Sequence, residues 1–421
     1  VIKTAVTWRV EPLNHSDWPM VASLAPPTFS PYSPLPDFRF EIIHQSNKPG
    51  SRARVGRIHT PHGIIDTPGF VPVATNAALK GLTNEQSAAC GTQLMFANTY
   101  HLLVHPGPEI VEAAGGLHKF MGRSQPMITD SGGFQVFSLA QTNEEDGPEL
   151  KRRSAKRGSN EPTLLKLDES GTLFRSYLDG STIELTPEST VRAQKALGAD
   201  IIIPLDELPP YHCSRDRLAK SVELSHRWMA RSLRTHLDDR RSQAMYAVVH
   251  GGVDRELRAH SASYLSSLPF DGYAVGGSLG KDRDEMLDLL RYVLPLLPED
   301  KPNHILGIAD PASIEHGVAS GADTFDSCFP TRVARHGTLL TRDGPLHIRQ
   351  GKYKRQMGPI DPTMPWVESG DPAWSCMTRA YMHHLNRMHE PLFDTLASMW
   401  NVKYMTNLMA ETRERILADD L

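Results

Sequence analysis

The chain has 421 residues, 39% hydrophobic and 22% charged, an ordinary globular composition that fits one large α/β domain with an appendage. Its net charge of −4 carries no whole-protein sign of a nucleic-acid partner. The four scattered cysteines argue against a disulfide framework and for a reducing compartment. No apolar run approaches the roughly 18 residues a membrane helix needs, so no membrane partner is expected.

Residues 1–37 are rich in Pro and Ser, as in Pro31-Tyr32-Ser33-Pro34, and read as a disordered or extended N-terminal extension. An organelle transit segment is one reading of it. Glu11 and Asp17 weaken that reading, since such peptides are poor in acids, and a cytoplasmic address is expected. Residues 38–350 settle into one recurring unit, a short aliphatic run, a polar or Gly-rich turn and an amphipathic stretch. The runs are 126–129, 200–205, 245–249, 272–275, 303–308 and 324–325. Nearly continuous apolar runs indicate strands buried on both faces, as in a parallel sheet. The clearest helix is Arg283 to Leu297, with Met286, Leu289, Leu290 and Val293 on one face. Gln141 to Leu167 reads as an inserted loop, and its basic cluster Lys151–Arg157 as a solvated surface. Residues 351–421 open Pro-rich, then carry helical stretches starting near Met377 and Pro391, and read as a C-terminal helical subdomain.

Polar residues choose between a (β/α)8 barrel and a doubly wound sheet. Asp130, Asp206, His250, Gly276-Gly277, Asp310 and Asp326 each end an expected strand, and barrel enzymes collect their chemistry on that rim. No G-x-G-x-x-G opens a helix, as a Rossmann fold would require. The fold class is therefore α/β, a barrel.

Asp130 precedes Ser131-Gly132-Gly133, an acid beside backbone that a planar ligand can approach. A turn whose Asp caps the next helix explains the segment equally well. Asp206, in Leu205-Asp206-Glu207, can accept from the N1–H and amino group of guanine or serve as a cap. Asp326 stands directly before Pro330-Thr331-Arg332. From Thr331 to Arg355, seven Arg and Lys residues face Asp343 alone, enough local charge to hold a phosphate backbone. A rim carboxylate beside arginines fits nucleophilic attack on a sugar carbon, and two such carboxylates fit retaining glycosyl transfer. The residues alone reach N- or O-glycosyl transfer on a barrel and stop there.

Asp66 to Thr75, Asn98-Thr99-Tyr100-His101-Leu102 with Pro106-Gly107, Thr129 to Gln135, Phe325 to Arg332 and Thr378 to Leu385 resemble, in order, motifs of the queuine/archaeosine tRNA-ribosyltransferase family. The resemblance implies an irregular TIM barrel and base exchange in tRNA without ATP or a redox cofactor. It implies that Asp326 is the nucleophile toward C1′ of the wobble nucleoside, and that Asp130 holds the base and later deprotonates the incoming one. Ser131, Gly132, Gly133, Phe134, Asp206, His250 and Gly277 would bind the base. Gly307, Ile308, Ala309, Asp310, Pro311, Ala312 and Ser313 match tRNA-contacting elements, as do Thr331, Arg332, Val333, Ala334 and Arg335. A homodimer is the usual family state. A non-catalytic partner subunit is the alternative, against which the retained Asp130 and Asp326 argue. A generic barrel glycosidase is a further one, which the basic stretch disfavours.

Two departures stand out. His250 replaces the Gln of the family's V-Q-G, which changes donor and acceptor geometry at the base. The family's structural zinc, held by C-x-C-x2-C and a later His, has no matching ligand set: 362–377 contain only Cys376, and Trp400-Asn401 stands where the His is expected. No metal and no cofactor are therefore expected, with packing of Trp366, Trp374 and Trp400 in the metal's place. Finally, Gly280 stands where bacterial members usually have Val and eukaryotic ones Gly. Queuine is thus expected to be favoured over 7-aminomethyl-7-deazaguanine.

Overall fold

The computed structural model describes residues 28–135, 164–176, 178–370, 374 and 376–421. Three antiparallel strands come first: β1 (Arg39–Gln45), β2 (Arg54–Thr60) and β3 (Gly63–Thr67). The chain then enters the barrel through β4 (Gly69–Ala74), β5 (Met95–Ala97) and β6 (Met127–Thr129). An antiparallel excursion follows, β7 (Leu164–Asp168), β8 (Gly171–Arg175) and β9 (Thr182–Leu185). β10 (Ile201–Ile202), β11 (Ala244–Val249), β12 (Gly272–Val275), β13 (Asn303–Ile305) and β14 (Thr324–Ser327) complete a closed barrel, in which β14 pairs with β4 and β6 with β10, all parallel. Helices alternate with these strands, so the architecture is the expected (β/α)8 barrel.

The expected runs supply six of the eight strands. β4 and β5 are not among them, because β4 contains Pro72, which has no N–H to donate, and β5 is three residues long. Two expected strands are shorter than read. Ile201–Ile202 stops before Pro204, and Asn303–Ile305 stops before Gly307, whose φ of +77° turns the chain out of the sheet. The expected helix from Arg283 ends at Val293, and Leu294–Leu296 tightens into a 3-10 turn around Pro295. Asp282 caps its start by accepting from Glu285 N, and Met286, Leu289, Leu290 and Val293 are buried as their spacing requires.

Part of the expected inserted loop is ordered strand: Leu164 to Leu167 lie in β7. The rest of it, 141–163 with Lys151–Arg157, lies outside the described residues. So do residues 1–27 of the N-terminal extension. Residues 28–37 form neither helix nor strand and run across the barrel floor. Leu35 joins the core, the Tyr32 hydroxyl donates to Asp271 Oδ1 at 3.2 Å, and the Lys301 ammonium lies 3.1 Å from the Tyr32 ring centroid. β1–β3 close the same end through the buried pair of Arg54 and Asp323, Nη2 to Oδ2 2.7 Å. The opposite end, where the strands finish, stays available for chemistry.

After β14 come the helices Phe329–Arg335, Arg379–Met388 and Pro391–Leu417. The last packs Met405, Met409 and Ile416 into the barrel core, while Trp400 and Phe393 join a second apolar cluster with Trp366, Trp374, Met377 and Leu385. No described helix is long and apolar enough to cross a membrane.

Candidate active site

Asp130 follows β6 directly, and three donors fix its carboxylate. Thr99 N gives to Oδ1 at 2.7 Å, and Asn98 Nδ2 and Gln135 Nε2 give to Oδ2 at 2.8 and 3.1 Å. Part of the residue faces solvent, yet desolvation by the surrounding protein pushes its pKa up to about 6, and the nearby charge of Asp326 pushes the same way. The three hydrogen bonds oppose that shift. The result is a carboxyl group that takes and returns a proton near neutral pH.

Asp326 lies inside β14, on the strand next to β4. Among the described residues its hydrogen-bond contacts fall on Oδ1: Gly307 N donates at 2.9 Å and His304 Nε2 lies at 3.1 Å. A carboxylate only accepts, so His304 Nε2 carries the hydrogen, and its Nδ1 then accepts from the Thr324 hydroxyl at 2.8 Å. One oxygen is thus held from behind, on the side of β13. His304 was not picked out from the sequence. Its signal is a titratable residue in the fully buried strand Asn303–Ile305.

Asp206 lies in the loop after β10. The buried Glu207 turns away to a two-point pair with Arg217, and Glu207 N donates to Ser225 Oγ at 3.0 Å, which pins this loop. Across the rim, His250 follows β11, and its Nε2 lies 2.8 Å from Asp206 Oδ2. This close contact is not a hydrogen bond, and among the described residues the buried Nε2 has no hydrogen-bond partner. Leaving such an atom unpaired costs about 1–3 kcal/mol, which a ligand polar atom can offset. Gly277, after β12, has a φ of +74°, and a Cβ there would stand 3.1 Å from His250 Nδ1. Only glycine lets this backbone come so close to the imidazole.

Ser131, Gly132 and Gly133 are buried. A Cβ on Gly132 would meet Tyr100 N at 3.0 Å, and one on Gly133 would meet Asp206 O at 3.1 Å, so these glycines bind the rim loops to one another. Phe134 projects instead, 61% exposed, an aromatic face beside Asp130. A cavity of about 310 Å³ opens beside His250, Gly251, Gly252, Gly277 and Ser278, walled by Pro209, Tyr211 and Leu218. Neither this cavity nor a larger open hollow of about 620 Å³ beside Thr75 and Lys80 is lined by Asp130, Asp206 or Asp326 themselves.

The residues expected to meet RNA separate by exposure. Gly307, Ala312 and Arg332 are exposed, and Ile308, Asp310, Pro311, Val333 and Arg335 are half-buried. Ala309, Ser313, Thr331 and Ala334 are buried and face the protein. Asp310 caps the helix Pro311–Ala319 through Ser313 N and pairs with Arg283 at 3.0 Å, so its carboxylate is already engaged.

The chain that carries these two rim carboxylates is similar in sequence to known proteins. The family model described as queuine tRNA-ribosyltransferase matches residues 49–421. A queuine tRNA-ribosyltransferase of Protochlamydia amoebophila (strain UWE25) is 56% identical over 384 residues, 91% of this chain and 96% of the relative. The chain belongs to the queuine tRNA-ribosyltransferase family. Proteins of the same name from Chlamydia abortus (strain DSM 27085 / S26/3) and Chlamydia felis (strain Fe/C-56) are 48% and 47% identical, covering 90% and 91% of this chain and 99% of each relative. Membership makes it a tRNA-guanine transglycosylase, an enzyme of the pentosyltransferase class.

Proposed function

We propose that this enzyme exchanges the wobble guanine of GUN-anticodon tRNAs for a 7-deazaguanine through a covalent aspartyl–ribose intermediate. The observation that carries the reading is the division of labour between the two carboxylates. Asp326 Oδ2 attacks C1′, the C1′–N9 bond breaks, and its electron pair leaves with guanine. The departing guanine takes a proton from water at N9; the incoming base then loses its N9 proton to Asp130, attacks C1′ and frees Asp326, and Asp130 returns that proton to water. Bonds and charges balance without ATP or a redox cofactor. Asp206, His250 and the Gly277 backbone read the purine edge, and Phe134 offers a face for stacking. Arg332, in the first turn of the helix Phe329–Arg335 that follows Asp326, neutralises a neighbouring phosphate. A homodimer belongs to the same reading. Two intact carboxylates favour it over a non-catalytic partner subunit.

Queuine is the favoured incoming base. Its support is the name queuine tRNA-ribosyltransferase that the relatives carry and the cavity of about 310 Å³ beside His250 and Gly277, within the size range of small-ligand pockets. Gly280 gives no such support. Its φ is +138°, and a Cβ there would meet Met286 N at 3.0 Å and Glu285 Cβ at 3.2 Å, so glycine serves the turn into a helix. A Gly280→Val variant is strained whatever base is bound, and base choice is better read on the unaltered protein.

The C-terminal module is held by apolar packing in place of a metal. Cys376 is exposed, and the Trp400 indole N–H is committed to Leu340 O at 2.8 Å. Trp366 packs edge-on against Trp374 and Trp400, with centroids at 6.1 and 5.4 Å. One thiol does not fit a tetrahedral zinc. The functional test is incorporation of radiolabelled guanine into unmodified tRNA, with queuine and 7-aminomethyl-7-deazaguanine as competitors. Incorporation chased more strongly by queuine is expected. No incorporation overturns the activity, and a stronger chase by the smaller base overturns the preference alone.

A further inference from the structure

Outside the rim, two helices of the barrel's outer layer bring together three metal-ligating side chains that base exchange does not use. Glu223 and His226 lie one turn apart on the helix Arg215–Asp238, a spacing that puts both on one face. His260 comes from the next helix, Arg255–Ser266. One ring nitrogen or carboxylate oxygen from each residue lies within 4.8 Å of the other two. Glu223 Oε1 and His260 Nε2 are 2.8 Å apart, and both side chains are partly open to solvent.

His226 is the unusual member. It is 1% exposed, its ring lies flat on Tyr264 with centroids 4.3 Å apart, and its Nε2 is 3.0 Å from Ser261 Oγ. Nδ1 is buried and has no hydrogen-bond partner among the described residues. A hydrogen on Nε2, given to Ser261, leaves Nδ1 with a bare lone pair. That is the arrangement of a metal-binding imidazole, one nitrogen fixed by an oxygen and the other free for an ion.

We propose that Glu223, His226 and His260 bind one divalent transition ion of the zinc class, with water completing its shell. Two imidazoles and one carboxylate are a donor set zinc accepts, with metal–ligand distances of about 2.0–2.2 Å. The ion replaces the direct Glu223–His260 contact, and the exposed ends of both side chains have room to adjust. Bound there, it ties two barrel helices together directly behind the base site, because Ser261 Oγ also accepts from His250 N at 3.1 Å. The other such group among the described residues, His62, His118 and Asp200, is worse suited. Its imidazoles stack at 3.4 Å and 10°, so their lone pairs run side by side and do not converge on one ion. Asp200 is also engaged, taking Met127 N at 2.8 Å and meeting His62 Nδ1 at 2.7 Å.

The test is titration of the metal-stripped full chain with Co²⁺, followed by visible absorption, with Zn²⁺ as competitor. The expected result is one ion per chain, displaced by Zn²⁺ and released as the pH falls below the imidazole range. Glu223→Gln and His260→Ala, shown folded by circular dichroism, should each weaken binding about tenfold or more, and His62→Ala should leave it unchanged. Absence of saturable binding by the unaltered protein overturns the proposal. So does undiminished binding in both Glu223→Gln and His260→Ala, or loss of binding in His62→Ala.

Discussion

Removing one donor from Asp130 should move the acid limb of the pH–rate profile by a calculable amount. With its pKa near 6, Asp130 is about 90% ionised at pH 7 and about 10% at pH 5. An upward shift means that the base form is lost as pH falls, so kcat/KM for base incorporation should drop about tenfold between those values. Asn98 Nδ2 donates to Asp130 Oδ2 at 2.8 Å. A hydrogen bond to a charged group is worth about 1.5–3 kcal/mol, and 1.36 kcal/mol is one pKa unit. Asn98→Ala should therefore raise the limb by about one to two units, to about 7–8, while rates well above it recover. The same shift has a stability sign. The folded value lies above the unfolded one, so this group's contribution is fully present below pH 4 and is lost as pH rises through 6. The assay is the initial rate of radiolabelled guanine incorporation into tRNA across pH 4.5–9, with circular dichroism at each pH. An unaltered enzyme with its limb near pH 4, or an Asn98→Ala limb that does not move, would refute Asp130 as the titrating base.

Three further outcomes follow from the geometry. His250→Gln should keep base exchange and change KM for the base by about two- to tenfold, the worth of one neutral hydrogen bond, with kcat nearly unchanged in steady-state kinetics. A collapse of kcat would instead give His250 a part in the chemical step. Arg332→Ala should weaken tRNA binding for all sequences alike and flatten the slope of log K against log salt by about 0.7–0.9, measured by filter binding. An unchanged slope would remove Arg332 from the phosphate contact. Cys376→Ser, or chelation, should leave the near-ultraviolet tryptophan signal intact, because a structural zinc contributes on the order of 10 kcal/mol and its removal would unfold the module.

The barrel was legible because its central strands are buried on both faces and leave unbroken aliphatic runs, as at Ala244–Val249 and Gly272–Val275. β4 and β5 carried no such mark, one being interrupted by Pro72 and the other three residues long. At the site, the acids announced themselves by standing where strands end. Their supports did not. His304, Asn98 and Gln135 act across 22, 32 and 5 positions of chain, and only folding brings His304 and Asn98 to their carboxylates. Glycines carry a second reading. A missing side chain reads as space for a ligand, and at Gly132, Gly133 and Gly280 neighbouring protein also crowds the Cβ position. The buried RNA-motif residues Ala309, Ser313, Thr331 and Ala334 make a similar point, since a motif follows the chain and exposure follows the fold.

Trapping of the covalent intermediate tests the nucleophile most directly. Radiolabelled tRNA incubated with the enzyme and resolved on a denaturing gel should give a band retarded by the mass of the protein. Asp326→Ala should lose that band while retaining tRNA binding on a native gel. Asn98→Ala, which leaves the Asp326 carboxylate in place, should still form it. An Asp326→Ala protein that gives the covalent band would contradict the account and move the nucleophile to another residue.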